Sequence, residues 1–333
     1  MYKNIGKMIL VTGAAGFVGS HLSEKLLSMG HDVISIDNFN DYYDPKLKEK
    51  NLKSIEKVAL DNNVIFKMYK GDIRDSDLID KVFKENAQIS SIVSLAANAG
   101  VRPSIENPNY YVDVNLVGLT NLLEIAKNCK IKNFVFISSS SVYGNNKKVP
   151  FSEKDSVDEP ISPYAATKKA GELLCYTYHH LFKMNIACLR YFTVYGPRQR
   201  PDLAINKFTK LMIDKKPIPM YGDGSTARDY TFVSDIVEGT LLALDYVSQK
   251  NKEIFDIFNL GGSNPITLLD LINEIGEKLN IKPLINQLPM QPGDVNITYS
   301  DYSHAKKTLG YNPKVKIDAG IAKFVKWYIE ENM

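Results

Sequence analysis

The chain has 333 residues, 44% of them hydrophobic and 24% charged, and its 41 basic and 38 acidic side chains leave a formal net charge of +3. That length suffices for one large domain or two lobes around a sizeable core, with the composition of an ordinary globular protein. So balanced a charge leaves no electrostatic footprint for nucleic acid or a membrane surface, and no uninterrupted apolar run approaches the roughly 18 residues of a membrane span.

Taken from the amino terminus, short apolar runs at 8–12, 33–37, 64–71, 92–97 and 134–138 read as buried strands, and helical periodicity fills 18–28, 75–86 and 114–128 between them. This alternation predicts an α/β fold of the Rossmann type, a doubly wound parallel sheet with helices on both faces. Run 8–12 is too short for an export core and meets glycines at once, so no signal peptide is expected. Lys46, Lys48, Lys50 and Lys53, interleaved with Leu47, Glu49 and Leu52, read as a solvated helix face. A further helix is expected over 163–182 and a strand over 186–192. After Gly196 repeated prolines cut the chain into short elements, which predicts a smaller mixed α/β lobe over 196–333 at the sheet's carboxyl edge. Residues 256–259 again look like a sheet strand, so 225–260 should return to the first domain, 1–195, and the lobes should interleave. Cys129, Cys175 and Cys188 are widely spaced, and His179 and His180 are adjacent and cannot face one site. No metal centre is expected, and a reduced, cytoplasmic setting fits.

The first strand runs straight into Gly13-Ala-Ala-Gly16-Phe-Val-Gly19 and then into a helix. The first glycine allows a tight turn, the second lets backbone approach a pyrophosphate, and the third permits close helix–strand packing. The phosphates then meet free N–H groups at a helix amino end. Asp37 ends the next strand, where a carboxylate accepts both adenosine ribose hydroxyls and repels a 2′-phosphate, which selects NAD over NADP. Asp72, after the third strand, is placed for the adenine amino group. Phe17, Val18, Asn38 and Ile73 flank these positions and are counted with the cofactor site.

Tyr164-Ala-Ala-Thr-Lys168 opens the helix at 163–182, and its i, i+4 spacing sets both side chains on one face. A tyrosine near its ordinary pKa of ~10 is a poor base at neutral pH and needs a cation beside it, which Lys168 supplies. The strand ending in Ser138-Ser139-Ser140-Ser141 offers hydroxyls to a substrate oxygen.

Together, the glycine motif, Ser138-Ser139-Ser140-Ser141-Val142-Tyr143-Gly144, Tyr164-x-x-x-Lys168 and Arg228-Asp229-Tyr230 resemble the extended short-chain dehydrogenases/reductases that epimerise, dehydrate or decarboxylate nucleotide sugars. The resemblance covers nearly the whole chain. It implies that Tyr164 takes the sugar hydroxyl proton, that Lys168 holds the nicotinamide ribose, and that Ser139 is the catalytic Ser/Thr. It further implies that Asn115 supports the site, that residues after Ala96 line the cofactor cleft, and that Arg228 binds the diphosphate. Family members form homodimers through two helices each, here those at 114–128 and 163–182.

Within that family, dehydratases and decarboxylases carry acidic residues just after the catalytic Ser/Thr, whereas this chain has Ser140 and Ser141. The segments 38–45 and 190–202 resemble those of UDP-glucuronate 4-epimerases, and Thr193 stands where galactose epimerases have asparagine. Ser140, Ser141, Thr193 and Arg200 are therefore expected to cradle a C6 carboxylate, with Arg102 a second basic candidate. Gln291 replaces the galactose epimerases' arginine at the diphosphate, and Asp294 is expected at the nucleotide ribose. The resemblance points to NAD-dependent 4-epimerisation of UDP-glucuronate. The alternatives are a UDP-N-acetylhexosamine, UDP-N-acetylhexosaminuronate or UDP-glucose 4-epimerase, and a catalytically silent NAD-binding sensor or scaffold.

Overall fold

The computed structural model describes residues 2–290 and 295–332, so Gln291 and Asp294 lie outside the described residues. β1 (Met8–Thr12) enters α1 (Phe17–Ser28) through the glycine loop, and β2 (Asp32–Asp37) leads to α2 (Pro45–Asp61). β3 (Phe66–Lys70), α3 (Ser76–Glu85) and β4 (Ile89–Ser94) follow. Two short helices, α4 (Val101–Glu106) and α5 (Pro108–Val112), continue through a π-helical turn at Asp113–Val117 into α6 (Gly118–Asn128). Next come β5 (Asn133–Ser139), a 3₁₀ turn at Ser140–Tyr143, α7 (Pro163–Phe182), β6 (Asn185–Tyr191) and β7 (Thr193–Tyr195). The rest comprises α8 (Ala204–Ile213), β8 (Ile218–Tyr221), β9 (Ala227–Phe232), α9 (Val233–Val247) and β10 (Phe255–Leu260). It ends with β11 (Pro265–Thr267), α10 (Leu268–Leu279), β12 (Ile285–Leu288), α11 (Ser303–Leu309) and α12 (Ile317–Asn332).

Seven strands form one sheet in the order β10-β6-β5-β4-β1-β2-β3, with every pairing parallel. Side chains alternate across it. Ile9, Val11, Val33, Val135 and Leu189 join Leu22 of α1 and Leu241 of α9 on one face. Met8, Leu10, Ile34, Phe134 and Cys188 meet Val82 of α3, Leu122 of α6 and Cys175 of α7 on the other. Burial on both faces is why these strands read as continuous apolar runs. Strand order reverses beside β1, where β4 and β2 flank it on opposite sides, and a crevice opens there at the carboxyl ends. Outside this sheet, β11-β9-β7 and β12-β8 form two small sheets, the first mixed and the second parallel. α10 packs between them against α8 and α12.

Three local differences from expectation have physical causes. β3 begins at Phe66, because the Val64 N–H closes the end of α2 on the Ala59 carbonyl at 3.1 Å. The helix expected from 114 is already helical from Pro108, and the π turn within it swings Asn115 inward. Lys48 does not belong to a solvated face: it is buried, while Lys46, Lys50 and Lys53 are exposed. α7 starts where expected because Pro163 occupies its first position and Ser162 Oγ accepts from the Ala165 N–H at 3.1 Å. These caps put Tyr164 in the first turn, with Ser139 at the end of β5 as its hydrogen-bond neighbour.

Candidate active site

The glycine loop is built for close approach. Gly13 has φ +75°, and a Cβ there would sit 3.1 Å from the Ala96 backbone. A Cβ on Gly19 would lie 2.1 Å from the Gly13 carbonyl oxygen, so only glycine lets α1 start so near β1. Thr12 Oγ1 accepts from the Leu95 and Ala96 N–H groups at 3.2 and 3.1 Å, which ties the loop to the end of β4. Gly13, Gly16, Phe17, Val18 and Gly19 line one wall of a cleft whose other wall includes Asp37, Asn38, Asp72, Ile73 and Ala96.

Asp37 accepts from the Ala15 and Phe39 N–H groups at 3.1 and 2.9 Å, one on each oxygen. Burial pushes its pKa up, opposed by these bonds and by the Lys48 charge. Each oxygen keeps acceptor capacity for a ribose hydroxyl. Asp72 is different. Burial pushes it up, but hydrogen bonds from Arg74 and Asn38 outweigh that and hold its carboxyl at about 2. The Arg74 N–H and Nε donate to Oδ1, and Asn38 Nδ2 and Arg74 Nη2 donate to Oδ2. Its acceptor sites are thus filled, and the expected bond to an adenine amino group gives way to a role in holding Asn38 on the cleft wall.

Tyr42, Tyr43, Asn40 and Lys48 also line the cleft, and sequence reasoning had not placed them there. Lys48 Nζ donates to the Asn40 carbonyl and Oδ1 at 3.0 and 2.7 Å. The signal for Lys48 was present, because it continues the buried face of Asn51, Ile55 and Ala59 on α2 at helical spacing.

Tyr164 and Lys168 share a face of α7, with Lys168 Nζ 6.0 Å from the Tyr164 ring centre. Burial drives the Tyr164 pKa up, while a hydrogen bond with Ser139 and the Arg200 charge pull it down. Burial lowers Lys168 to about 8, against the charges of Cys175 and Glu172. Its Nζ donates to the Ile137 carbonyl at 2.7 Å, leaving two donor directions for other partners. Asn115 accepts from the Asn98 N–H at 2.8 Å and donates to Asn98 O and Thr167 Oγ1 at 3.1 and 3.0 Å. It locks the segment after Ala96 onto α7. Tyr111 packs edge-on against Tyr164 at 6.2 Å.

Ser140, Ser141 and Thr193 line one cavity together with Arg228, Ser162 and Gly144. Arg228 also borders a neighbouring cavity, with Arg102, Tyr221 and Tyr230. Arg102 stacks over Tyr221 at 5.1 Å, away from the three hydroxyls. Arg200 does not border the cavity of the three hydroxyls in this structure. Its Nε and Nη2 donate to Asp202 at 3.0 and 2.8 Å, it stacks over Tyr42 at 4.9 Å, and it lines the cofactor cleft rather than the serine cavity. A nearby carboxylate has captured the fork.

Residues 10–324 match the family model described as GDP-mannose 4,6 dehydratase. The chain belongs to that family, within the extended short-chain dehydrogenases/reductases. It is 44% identical to UDP-glucuronate 4-epimerase 4 of Arabidopsis thaliana, across 98% of this chain and 76% of that protein. UDP-glucuronate 4-epimerase of Thermodesulfobacterium geofontis (strain OPF15) is 43% identical, across 96% and 95%. The crystal structure of UDP-glucuronic acid 4-epimerase from Bacillus cereus with UDP-glucuronic acid and NAD superposes with a TM-score of 0.88, at 37% identity and 97% and 99% coverage. This member of the family therefore has the dinucleotide cleft, the Tyr164–Lys168 pair and the serine cavity arranged around the carboxyl edge of one sheet.

Because a Cβ on Gly19 would meet the Gly13–Ala14 backbone, Gly19→Ala must shift the loop. Affinity for NAD, measured by calorimetry, should fall at least tenfold, or about 1.4 kcal/mol, with far-ultraviolet circular dichroism unchanged. Wild-type affinity in that variant would exclude the close approach as the basis of phosphate binding.

Proposed function

We propose that this enzyme epimerises UDP-glucuronate at C4, giving UDP-galacturonate through a transient 4-keto sugar, with NAD as its bound cofactor. The observation that carries the reading is the wall beyond Ser139. There, Ser140, Ser141 and Thr193 present hydroxyls to one cavity, where proton chemistry at C5 would call for carboxyl groups. Relatives named for this activity, at 43–44% identity over nearly the whole chain, support it.

NAD, held by the glycine loop and Asp37, would supply a reversible hydride acceptor for C4, so that the whole cycle is redox-neutral. Tyr164 takes the C4 hydroxyl proton as base and gives it back as acid, with Ser139 holding the oxygen and Lys168 supplying positive charge. Arg228, on the wall shared by two cavities, anchors the diphosphate about which the keto sugar turns. The keto intermediate is a β-keto acid. The three hydroxyls keep its carboxylate oriented so that the bond to C5 stays out of line with the ketone, which suppresses loss of CO₂. Arg200 reaches that carboxylate by exchanging it for Asp202. Residues 1–195, joined by α9 and by β10 in the main sheet, serve mainly the cofactor, and the rest of 196–333 serves mainly the UDP-sugar, with Ser140, Ser141 and Thr193 reaching across from the first part. Among the described residues no helix is long and apolar enough to cross a membrane. A nucleotide-sugar substrate and three free cysteines suit a cytoplasmic enzyme.

NMR of the product from UDP-glucuronate should show UDP-galacturonate, at most a trace of UDP-pentose, and no stoichiometric NADH. Tyr164→Phe should cut turnover by at least ~10²-fold with binding retained. A dominant pentose, or normal turnover in the variant, would remove the reading.

For Arg200→Ala the exchange with Asp202 sets a modest scale. Affinity for UDP-glucuronate should fall by about 1–2 kcal/mol, roughly 5- to 30-fold, while UDP-glucose affinity holds. Equal changes for both ligands in calorimetry would take carboxylate recognition away from Arg200.

The enzyme works as a homodimer through α6 and α7. Leu173 (56% exposed) and Tyr176 (51%) on α7, and Val117 (45%) beside α6, leave an apolar surface in the single chain. Light scattering should report a dimer for wild type and a monomer for Leu173→Glu; a monomeric wild type contradicts the proposal.

A further inference from the structure

Under α7 lies a buried ion pair that touches neither cleft. Tyr164, Lys168 and Glu172 recur every four residues and so share one face of the helix. Glu172 and Arg190 of β6 are each only 2% exposed. Arg190 Nε and Nη2 donate to the two Glu172 oxygens, both at 2.8 Å, in the bidentate fork geometry. Ser138 Oγ, one residue before Ser139, donates to the same carboxylate at 2.7 Å. The remaining Arg190 nitrogen, Nη1, donates to the Tyr143 hydroxyl at 3.0 Å, and that hydroxyl donates to Asn259 Oδ1 at 2.7 Å. Asn259 Nδ2 donates in turn to the Phe151 and Asp301 carbonyls at 2.9 and 3.2 Å. One connected network therefore joins α7, the end of β5, the 3₁₀ turn, β6 and β10.

We propose that the Glu172–Arg190 pair is the positioning device of the active site, setting both the placement of the Ser139 strand end against α7 and the electrostatic field at Lys168. Stability alone explains it poorly. Desolvating two charges in a sheet core gains little or nothing over apolar packing, and the flanking β6 residues Cys188 and Leu189 are packed in apolar clusters. The direction of the charges has a consequence for Lys168. On its own helix Tyr164, Cys175 and Glu172 stand around it, and Arg190 and Cys188 of β6 adjoin Glu172 and Cys175. β5 contributes the uncharged Ile137 carbonyl and Phe136 ring, at 2.7 and 5.1 Å. Glu172 is the carboxylate of that set, and it opposes the burial that lowers Lys168 to about 8. Lys168 must stay protonated to assist Tyr164 and hold the nicotinamide ribose, so the Glu172 charge, in the direction opposite to burial, extends the alkaline range of the site.

The proposal rests on the epimerase reading for one of its two readouts. The first is the pH profile of kcat on UDP-glucuronate; the second, the pH profile of NAD affinity, needs no sugar and stands if that reading fails. Glu172→Gln removes the supporting charge and leaves Arg190 opposed by nothing, so both alkaline limbs should move down by about one pH unit. Arg190→Gln leaves the carboxylate unopposed and should move both limbs up. Opposite shifts are a signature that simple loosening of the fold does not produce. Lower thermal stability with unmoved profiles, or shifts of the same sign, overturns the proposal. Where either variant fails to fold, Ser138→Ala keeps both charges and cuts only the link from β5 to the carboxylate. Its kcat should then fall severalfold at unchanged KM, and a wild-type kcat there overturns the proposal as well.

Discussion

The sheet's carboxyl edge is organised by one close contact, the approach of α1 to the backbone of β1 at Gly13 and Gly19. Because no side chain stands between them, the helix amino end opens directly into the crevice where strand order reverses. Everything else is placed relative to that crevice. Asp37 lines it from the end of β2, Thr12 fastens its loop to the residues after β4, and α7 carries Tyr164 and Lys168 on one face.

Around this frame the chain uses hydroxyls and charges in separate compartments. Ser140, Ser141 and Thr193 border one cavity, Arg102 borders another, and Arg228 stands between the two. Arg200 lines the cofactor cleft with Tyr42, and its partner Asp202 borders the cavity of Arg102. Keeping carboxyl groups away from the wall beyond Ser139 suits chemistry at C4 alone. The paired state of Arg200 means that its fork is already satisfied, so any substrate carboxylate competes with one only two residues along the chain.

Much of the cofactor half was legible because its signals are local. Three glycines at fixed spacing, an acidic strand end, and a tyrosine and lysine one helical turn apart act over a few residues, and backbone geometry carries them into space almost unaltered. The positions that escaped belong to partners distant in sequence. Lys48 was masked by the exposed lysines beside it, although its register with Asn51 and Ile55 marks the buried face. The saturation of Asp72 depended on Arg74 and Asn38 converging on one carboxylate, and the inward turn of Asn115 depended on a π-helical irregularity that periodicity cannot reveal.

By itself the sequence determined the alternating α/β architecture, the acidic end of β2 at Asp37, the shared helix face of Tyr164 and Lys168 and the absence of acids after Ser139. Each of these follows from short-range spacing or residue chemistry. Only the tertiary structure decided which cations face which cavity, that Arg200 pairs with Asp202, and that Glu172, Ser138, Arg190, Tyr143 and Asn259 form one buried network. Those outcomes depend on long side chains choosing among several partners within a few ångströms. Electrostatic competition and desolvation settle that choice only once the strands and helices that carry them have been packed together.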